Sequence, residues 1–321
     1  MGAPVVMNRI VVFSGSAHVD LATAICGRLE SRLCSSITSR FSNDCLGVQL
    51  EANCREADVF VIQPLVPPVQ EHLMELLLML DAARGASAAR ITAVIPHYAY
   101  ARSDKKDAPR ISIAARLVAD LLATAGANRV LTMTLHSPQV HGFFSVPVDH
   151  MNALAVLAGH FRQQPLDNTV VVSPDLGNAK AATHFARMLD LPVAAGSKKR
   201  LSDDRVVIDA LVGDVDGRDV IILDDEIANG GTIVEVLDRL HERGVQRIAV
   251  ACTHGLFTGR ALSRLGPRTD IAEIVTTATV PIADGKRLPN MTVLSVAPLL
   301  AEAIRRIHLG ESVSGLFDTP A

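Results

Sequence analysis

The chain has 321 residues, 49% of them hydrophobic and 20% charged, with a formal net charge of −3. That length suggests two domains, the composition is globular with ample material for a core, and the near-neutral charge gives no global attraction to nucleic acid or anionic lipid. Aromatic residues are only 3% and Trp is absent, which argues against platforms for base stacking.

The five cysteines, Cys26, Cys34, Cys45, Cys54 and Cys252, are an odd number without C-x-x-C pairing. A reducing compartment fits this better than a disulfide framework or a zinc site. The first residues, Met1 to Val12, carry neither a basic leader nor a long apolar run. The most apolar segment, Leu73 to Leu80, is short and has Glu75 inside it, far from the ~20 residues a membrane span needs. The expectation is a soluble cytoplasmic protein with no nucleic-acid or membrane partner.

In chain order, residues 10–14 read as a strand and residues 20–33 as a helix. Residues 37–50 form a shorter β-like region around Arg40-Phe41-Ser42-Asn43-Asp44. A buried strand at 59–63 ends in a proline-punctuated loop, then come a helix at 69–84 and a strand at 91–95. A polar, basic stretch from His97 to Arg110 precedes a helix patterned on Ala114, Leu117, Val118, Leu121 and Leu122, which ends near Gly126. A strand at 130–135 delivers His136, and a helix lies near 152–163.

The alternation resumes with a strand at 169–172, the loop Ser173-Pro-Asp-Leu-Gly-Asn178, and a helix to about Leu189. A basic segment from Gly196 to Asp204 then interrupts the pattern as a loop. Val220 to Leu223 is uniformly apolar, as in a strand buried on both faces. Asp224 and Asp225 follow it, then Ala228, Asn229, Gly230, Gly231 and Thr232. A helix patterned on Ile233, Val236, Leu237 and Leu240 stops at Gly244. Strands at 246–252, 271–276 and 291–296 and a helix at 298–308 complete the chain. Alternating βα units with buried strands predict parallel sheets covered by helices. Two half-chains of about five units each join near residue 150.

The 220–232 stretch suits a sugar phosphate. Glycines let backbone N–H groups approach the phosphate, the helix end supplies partial positive charge, and the carboxylates can accept hydrogen bonds from ribose hydroxyls. An ordinary βα turn with solvated aspartates is the plainer alternative. His136 and Asp175 could offer a nitrogen and an oxygen to a divalent ion. A hard Mg²⁺ keeps several waters and borrows phosphate oxygens, so it needs few protein ligands. A capping or core role for His136, and a helix-capping role for Asp175, stay open. Lys198, Lys199 and Arg200 could close over phosphates and stabilise charge during phosphoryl transfer, or form a solvated cluster. The Arg102–Lys106 stretch has the same two readings.

With these residues in hand, the chain resembles the ribose-phosphate pyrophosphokinases, the synthetases of 5-phosphoribosyl 1-pyrophosphate. The similar strings span nearly its whole length: Phe13-Ser-Gly-Ser16, Arg40-Phe-Ser-Asn43, Leu73-Met-Glu-Leu-Leu77, Ile91 to Pro96, Tyr100-Ala-Arg102, Leu135-His136, Gly142-Phe-Phe144, Pro147-Val-Asp149, Val172-Ser-Pro-Asp175 and Gly310 to Ser314. The resemblance implies an α/β fold of two phosphoribosyltransferase-like domains, residues 1–150 and 151–321, each a mostly parallel sheet flanked by helices. The final helix could pack back on the first domain. It also implies that Mg-ATP passes its β,γ-diphosphoryl group to the 1-hydroxyl of ribose 5-phosphate, leaving AMP.

By position, Asp224 and Asp225 would hold ribose hydroxyls, and Ala228, Asn229, Gly230, Gly231 and Thr232 would cradle the 5-phosphate. Arg102 and Ser103 would contact ATP with Phe41, Asn43, Asp44 and Cys45, which in this family reach into a neighbouring subunit's site. His136 and Asp175 would serve Mg²⁺, and Lys198 and Arg200 would be the catalytic cations, Arg200 also touching ribose 5-phosphate. The implied assembly is a homo-oligomer of dimers, up to a hexamer.

The chain departs from the family's usual pattern at Thr134 and Ser145 (Asp), Ser103 (Gln), Cys45 (a carboxylate), Ala228-Asn229 (Asp-Thr) and Glu226 (apolar). Its Gly-Gly-Thr loop is similar to that of the phosphate-independent branch, so the departures bear on nucleotide preference and on control by phosphate or ADP. Two other readings stay open, an inactive regulatory subunit and a phosphoribosyltransferase. Retention of Lys198, Arg200, Asp224, Asp225 and His136 argues against the first. The two-domain length argues against the second.

Overall fold

A computed structural model describes residues 9–202 and 205–316; for 198–202 and 205–210 only the backbone is described. The chain divides into two compact units, residues 9–152 with 297–316, and residues 153–296.

In the first unit, β1 (Ile10–Ser14), α1 (Val19–Arg28) and the short β2 (Leu33–Cys34) lead into a hairpin of β3 (Ser36–Arg40) and β4 (Leu46–Leu50). Then come β5 (Asp58–Ile62), α2 (Val69–Gly85), β6 (Arg90–Ile95), α3 (Ala114–Ala125), β7 (Arg129–Met133) and β8 (Val148–Met151). The sheet order is β2-β1-β5-β6-β7-β8, with every pairing parallel. α2 and α3 bury Leu76, Met79, Leu80, Val118 and Leu122 with Val59, Val61, Ala93 and Ile95 of the sheet. The alternate strand residues Phe60, Ile62 and Val94 are buried as well, so the sheet is covered on both faces, which is why its strands read as unbroken apolar runs.

The second unit holds α4 (Leu154–Phe161), β9 (Thr169–Ser173), α5 (Ala179–Leu189), β10 (Val193–Ser202), β11 (Arg205–Val212), β12 (Asp219–Ile227) and α6 (Gly231–Glu242). β13 (Ile248–Gly255), α7 (Ala261–Leu265), β14 (Ile271–Thr277) and β15 (Met291–Leu294) complete it. Its sheet runs β11-β10-β9-β12-β13-β14-β15, parallel except for β10–β11. Strand residues alternate between two cores. Val170, Val172, Val220, Ile222 and Val250 pack under α6 and α7, while Val171, Ile221, Leu223, Ala249 and Ala251 pack under α4 and α5 around Phe161 and Phe185. At about 1.5–3 kcal/mol per fully buried large side chain, these two layers dominate the unit's stability.

The last helix, α8 (Ala297–Leu309), belongs with the first unit and packs on α1. His308 Nδ1 lies 2.9 Å from Oδ2 of the buried Asp58, which also pairs with Arg90.

Three segments differ from the sequence expectation. α1 ends at Arg28 rather than near 33, because Glu30 turns into the left-handed region (φ 51°) and residues 33–34 join the sheet edge. The basic segment 196–204, read as a loop, runs in its described residues as the two arms of an antiparallel hairpin. The strand β8 escaped the reading because four residues carry too little alternation.

Candidate active site

In the second unit the carboxyl ends of two neighbouring strands, β9 and β12, bring Asp175, Asp224 and Asp225 together. β12 carries its ladder past the apolar run, pairing Asp224 with Cys252 and Glu226 with His254 of β13. Asp224 is partly buried and Oδ1 accepts the Asp225 N–H at 3.0 Å. Burial first, then the neighbouring Asp225 and Asp175 charges, push its carboxyl well above the ordinary range. Cys252 beside it is buried, its thiol pushed up to about 12 mainly by desolvation, so it is neutral and unreactive.

The Asp175 loop is tied to this point. Asn178 Nδ2 donates to the Leu223 carbonyl at 2.8 Å, Asp175 Oδ1 accepts the Asn178 N–H at 3.0 Å, and Ser173 Oγ donates to the Asp175 carbonyl at 2.7 Å. Asp175 thus closes the loop ahead of α5, whose N-cap position is Asn178, rather than capping the helix itself. Three crowded carboxylates with hard oxygen donors fit a divalent cation, whose charge would relieve their repulsion. Among the described residues, however, no group of three or more His, Cys, Asp or Glu has metal-holding geometry, so the trio is not a preformed cage.

The turn after β12 is built for close approach. Gly230 sits in the left-handed region (φ 74°) and leads into α6 at Gly231. A side chain other than glycine is strained there. Asn229 Oδ1 accepts the Gly231 N–H at 3.0 Å, and Arg264 of α7 donates to the Asn229 carbonyl at 3.0 Å. Ala228, Asn229, Gly230, Gly231 and Thr232 therefore form one turn at a helix N-terminus, where backbone N–H groups and the helix dipole favour an anion. Lys198 and Arg200 have their backbones in β10, opposite Ile208 and Val206 of β11; their side chains lie outside the described ones.

In the first unit the hairpin tip is tightly ordered. Phe41 N–H donates to the Cys45 carbonyl at 2.8 Å, Asp44 N–H to the Phe41 carbonyl at 2.9 Å, and Asn43 Oδ1 accepts the Cys45 N–H at 3.3 Å. Phe41, 58% exposed, lies over Gly47, where a Cβ would meet its ring at 2.8 Å. Asp44 pairs with Arg40 at 2.7 Å.

Arg102 ends a short 3-10 turn after β6, and Ser103 follows it. The Ser103 hydroxyl donates to the Ser112 carbonyl at 3.1 Å and accepts the Ala114 N–H at 3.2 Å, so it orders the approach to α3. His136 is exposed, which removes the core reading. Its loop is held on both sides. Leu135 N–H donates to His150 Nε2 at 2.8 Å, and Ser137 Oγ donates to Asp104 Oδ2 at 2.5 Å. The second bond joins the 102–106 stretch to the His136 loop. Thr134, a β-branched residue at φ 43°, marks strain where β7 leaves the sheet.

The family model for the N-terminal domain of ribose phosphate pyrophosphokinase matches residues 10–126, and that for the phosphoribosyl synthetase-associated domain matches residues 201–318. A Streptomyces coelicolor protein named putative ribose-phosphate pyrophosphokinase is 66% identical over 312 residues, covering 97% of this chain and 98% of its own. The chain belongs to the ribose-phosphate pyrophosphokinase family. A ribose-phosphate pyrophosphokinase of Deinococcus radiodurans is 51% identical over 315 residues, 97% of this chain and 98% of its own. The crystal structure of phosphoribosylpyrophosphate synthetase from Mycobacterium smegmatis aligns with a TM-score of 0.89 at 40% identity, over 94% of this chain and all of that one. The family resemblance and the α/β fold class expected from the sequence both hold, and the family is one of transferases.

Several residues at these pyrophosphokinase-like strand ends were not singled out from sequence. Arg264 lies 35 residues beyond the turn residue it touches, and Ser137 is 33 residues from Asp104, its partner in the 102–106 stretch already read from sequence. Arg264 follows the glycine-bearing turn by one strand and sits on a five-residue helix, a placement that gives no periodic signal.

Proposed function

We propose that the protein is a ribose-phosphate diphosphokinase that makes 5-phosphoribosyl 1-pyrophosphate and AMP from ATP and ribose 5-phosphate. The observation that carries this is the continuous run from Asp224 and Asp225 through the Gly230 turn into α6. It offers hydroxyl acceptors and a phosphate cradle a few residues apart. In this reading Asp224 and Asp225 accept hydrogen bonds from the ribose hydroxyls, and the 228–232 backbone holds the 5-phosphate, fixing the anomeric hydroxyl for attack. Its oxygen bonds to the β-phosphorus of ATP while the bond from that phosphorus to the α–β bridging oxygen breaks. AMP departs with the bridging oxygen, and the hydroxyl proton leaves to solvent.

Lys198 and Arg200 stabilise the charge that spreads over the equatorial oxygens, more in the transition state than in the ground state. Phe41, Asn43, Asp44, Cys45, Arg102 and Ser103 hold the nucleotide. Asp175 and His136 would hold Mg²⁺, which supplies charge neutralisation on the phosphates when bound. The acting form is a cytoplasmic homo-oligomer with the nucleotide site shared between subunits.

Phosphorus NMR of the protein with ATP, Mg²⁺ and ribose 5-phosphate should show AMP and the new pyrophosphate pair. No AMP, with or without added phosphate, sinks the proposal. Lys198→Ala should lower kcat far more than it raises KM; a pure KM effect would remove Lys198 from the transition state.

A further inference from the structure

Glu75 is a carboxylate inside the apolar face of α2, 2% exposed. It is not idle there. Oε2 accepts the Ser16 N–H at 3.0 Å, the Ser16 hydroxyl at 2.6 Å and Gln63 Nε2 at 2.5 Å, and Oε1 accepts the Thr38 hydroxyl at 2.6 Å. Ser16 and Gln63 follow β1 and β5, and Thr38 is in β3. One buried carboxylate thus joins two adjacent strand ends of the main sheet to the separate two-stranded hairpin. Burial alone would push this carboxyl up, but the bonds from Ser16, Thr38 and Gln63 outweigh it and hold the group below its usual value. Glu75 is therefore a charged acceptor at neutral pH, and bonds to it are of the stronger, charge-assisted kind.

The geometry is a two-point grip. Thr38 and Arg40 are two residues apart on one face of β3, and Glu75 and Glu71 are four apart on one face of α2. The second contact, Arg40 to Glu71 at 2.6 Å, joins side chains that are 42% and 52% exposed, so solvent and salt weaken it. The Thr38–Glu75 bond, with its acceptor buried, is the stronger of the two. Within five residues past Arg40 the chain traverses the whole tip that carries Phe41, Asn43, Asp44 and Cys45.

We propose that Glu75 is a positioning residue for the nucleotide, holding the β3–β4 hairpin through Thr38 so that the 41–45 tip meets ATP in one pose. This rests on the reading that the tip contacts the nucleotide. A packing role alone would lower stability and affect both substrates alike. A positioning role acts on one substrate only.

Thr38→Val deletes the hydroxyl without changing side-chain size and leaves the Ser16 and Gln63 bonds of Glu75 in place. Thr38 is exposed, so the variant folds. Steady-state kinetics on the full-length oligomer should show KM for ATP raised about threefold to tenfold, with kcat and KM for ribose 5-phosphate within about twofold of the wild type. Thr38→Ser should restore the wild-type KM. Amide hydrogen exchange should speed up in residues 37–47 of Thr38→Val and stay unchanged in residues 58–62. An unchanged KM for ATP, or equal rises for both substrates, overturns the positioning role. Unchanged exchange at 37–47 overturns the grip itself. A wild type that forms no AMP refutes the proposed activity instead, and the exchange comparison still decides whether Glu75 holds the hairpin.

Discussion

Gly15 is the tightest point beside the Glu75 cluster, and replacing it with alanine probes how rigid that cluster is. A Cβ at residue 15 would lie 2.6 Å from Gln63 Nε2, too close for any real contact. Gln63 is fully buried and cannot swing aside freely. Its Oε1 accepts the Ala17 N–H at 3.1 Å, and its Nε2 donates to the His72 carbonyl at 3.3 Å and to Glu75 at 2.5 Å. Moving it strands buried polar groups at roughly 1–3 kcal/mol each, and overpacking costs a similar amount if it stays. Gly15→Ala should therefore destabilise the first unit by about 3 kcal/mol.

Gln63→Ala should also destabilise, by about 2–3 kcal/mol, because it leaves the Ala17 N–H and Glu75 short of a partner. In the double variant the clash is gone, so the total should stay near that of Gln63→Ala alone, a coupling of about 3 kcal/mol. Both tyrosines, Tyr98 and Tyr100, lie in the first unit and Trp is absent, so tyrosine fluorescence during urea unfolding reports on this unit. A loss under about 1 kcal/mol for Gly15→Ala, or simple additivity in the cycle, would refute the clash argument.

Three further outcomes can be checked directly. Asp224→Asn keeps an oxygen for the Asp225 N–H and removes the cost of burying an ionisable carboxyl beside Asp225 and Asp175, so ligand-free protein should gain on the order of 1 kcal/mol by urea unfolding followed by circular dichroism, while product formation falls at least tenfold; a destabilised variant would contradict that cost. Arg264→Ala removes the guanidinium from the 228–232 turn and should raise KM for ribose 5-phosphate about tenfold with KM for ATP unchanged; equal changes in both would make Arg264 a packing residue. His150 titrates at about 4, first because burial disfavours imidazolium and then because His141 repels it. A histidine depressed in the folded state contributes stability that is present above its unfolded value near 6.5 and is lost as pH falls from there to about 4. His150→Gln should flatten the tyrosine-monitored loss in that window, and an unaltered profile would exclude His150 as its source.

The parallel architecture was legible because buried strands leave a plain signature. Val59 to Ile62 and Val220 to Leu223 are apolar without alternation, and each is followed by a helix, α2 and α6, with one apolar stripe. The glycine-bearing turn after β12 was legible for a related reason, since acidic strand end, glycines and helix start are consecutive in the chain. What escaped was non-local. Glu75 looks like a surface charge interrupting an apolar helix until Ser16, Thr38 and Gln63, between 12 and 59 residues away, are placed around it. The β10–β11 hairpin escaped because Lys198 to Ser202 holds only Leu201 of the apolar content by which strands are read. β11 is the edge strand of the sheet, and the ladder bonds between the two arms, with register shifts at Ser197/Lys198 and Arg200/Ser202, require no apolar partner.

The placement of α8 has a consequence for how the chain is made. Residues 153–296 are synthesised and can close both of their cores while the first unit still lacks the helix that pairs with α1 and brings His308 to Asp58. The middle of the polypeptide can thus finish folding before its beginning does. Until residue 308 leaves the ribosome, Asp58 remains without one of its two side-chain partners at the start of β5, and α1 lacks the helix that packs on it. Docking of α8 on α1 is then the event that completes the first unit.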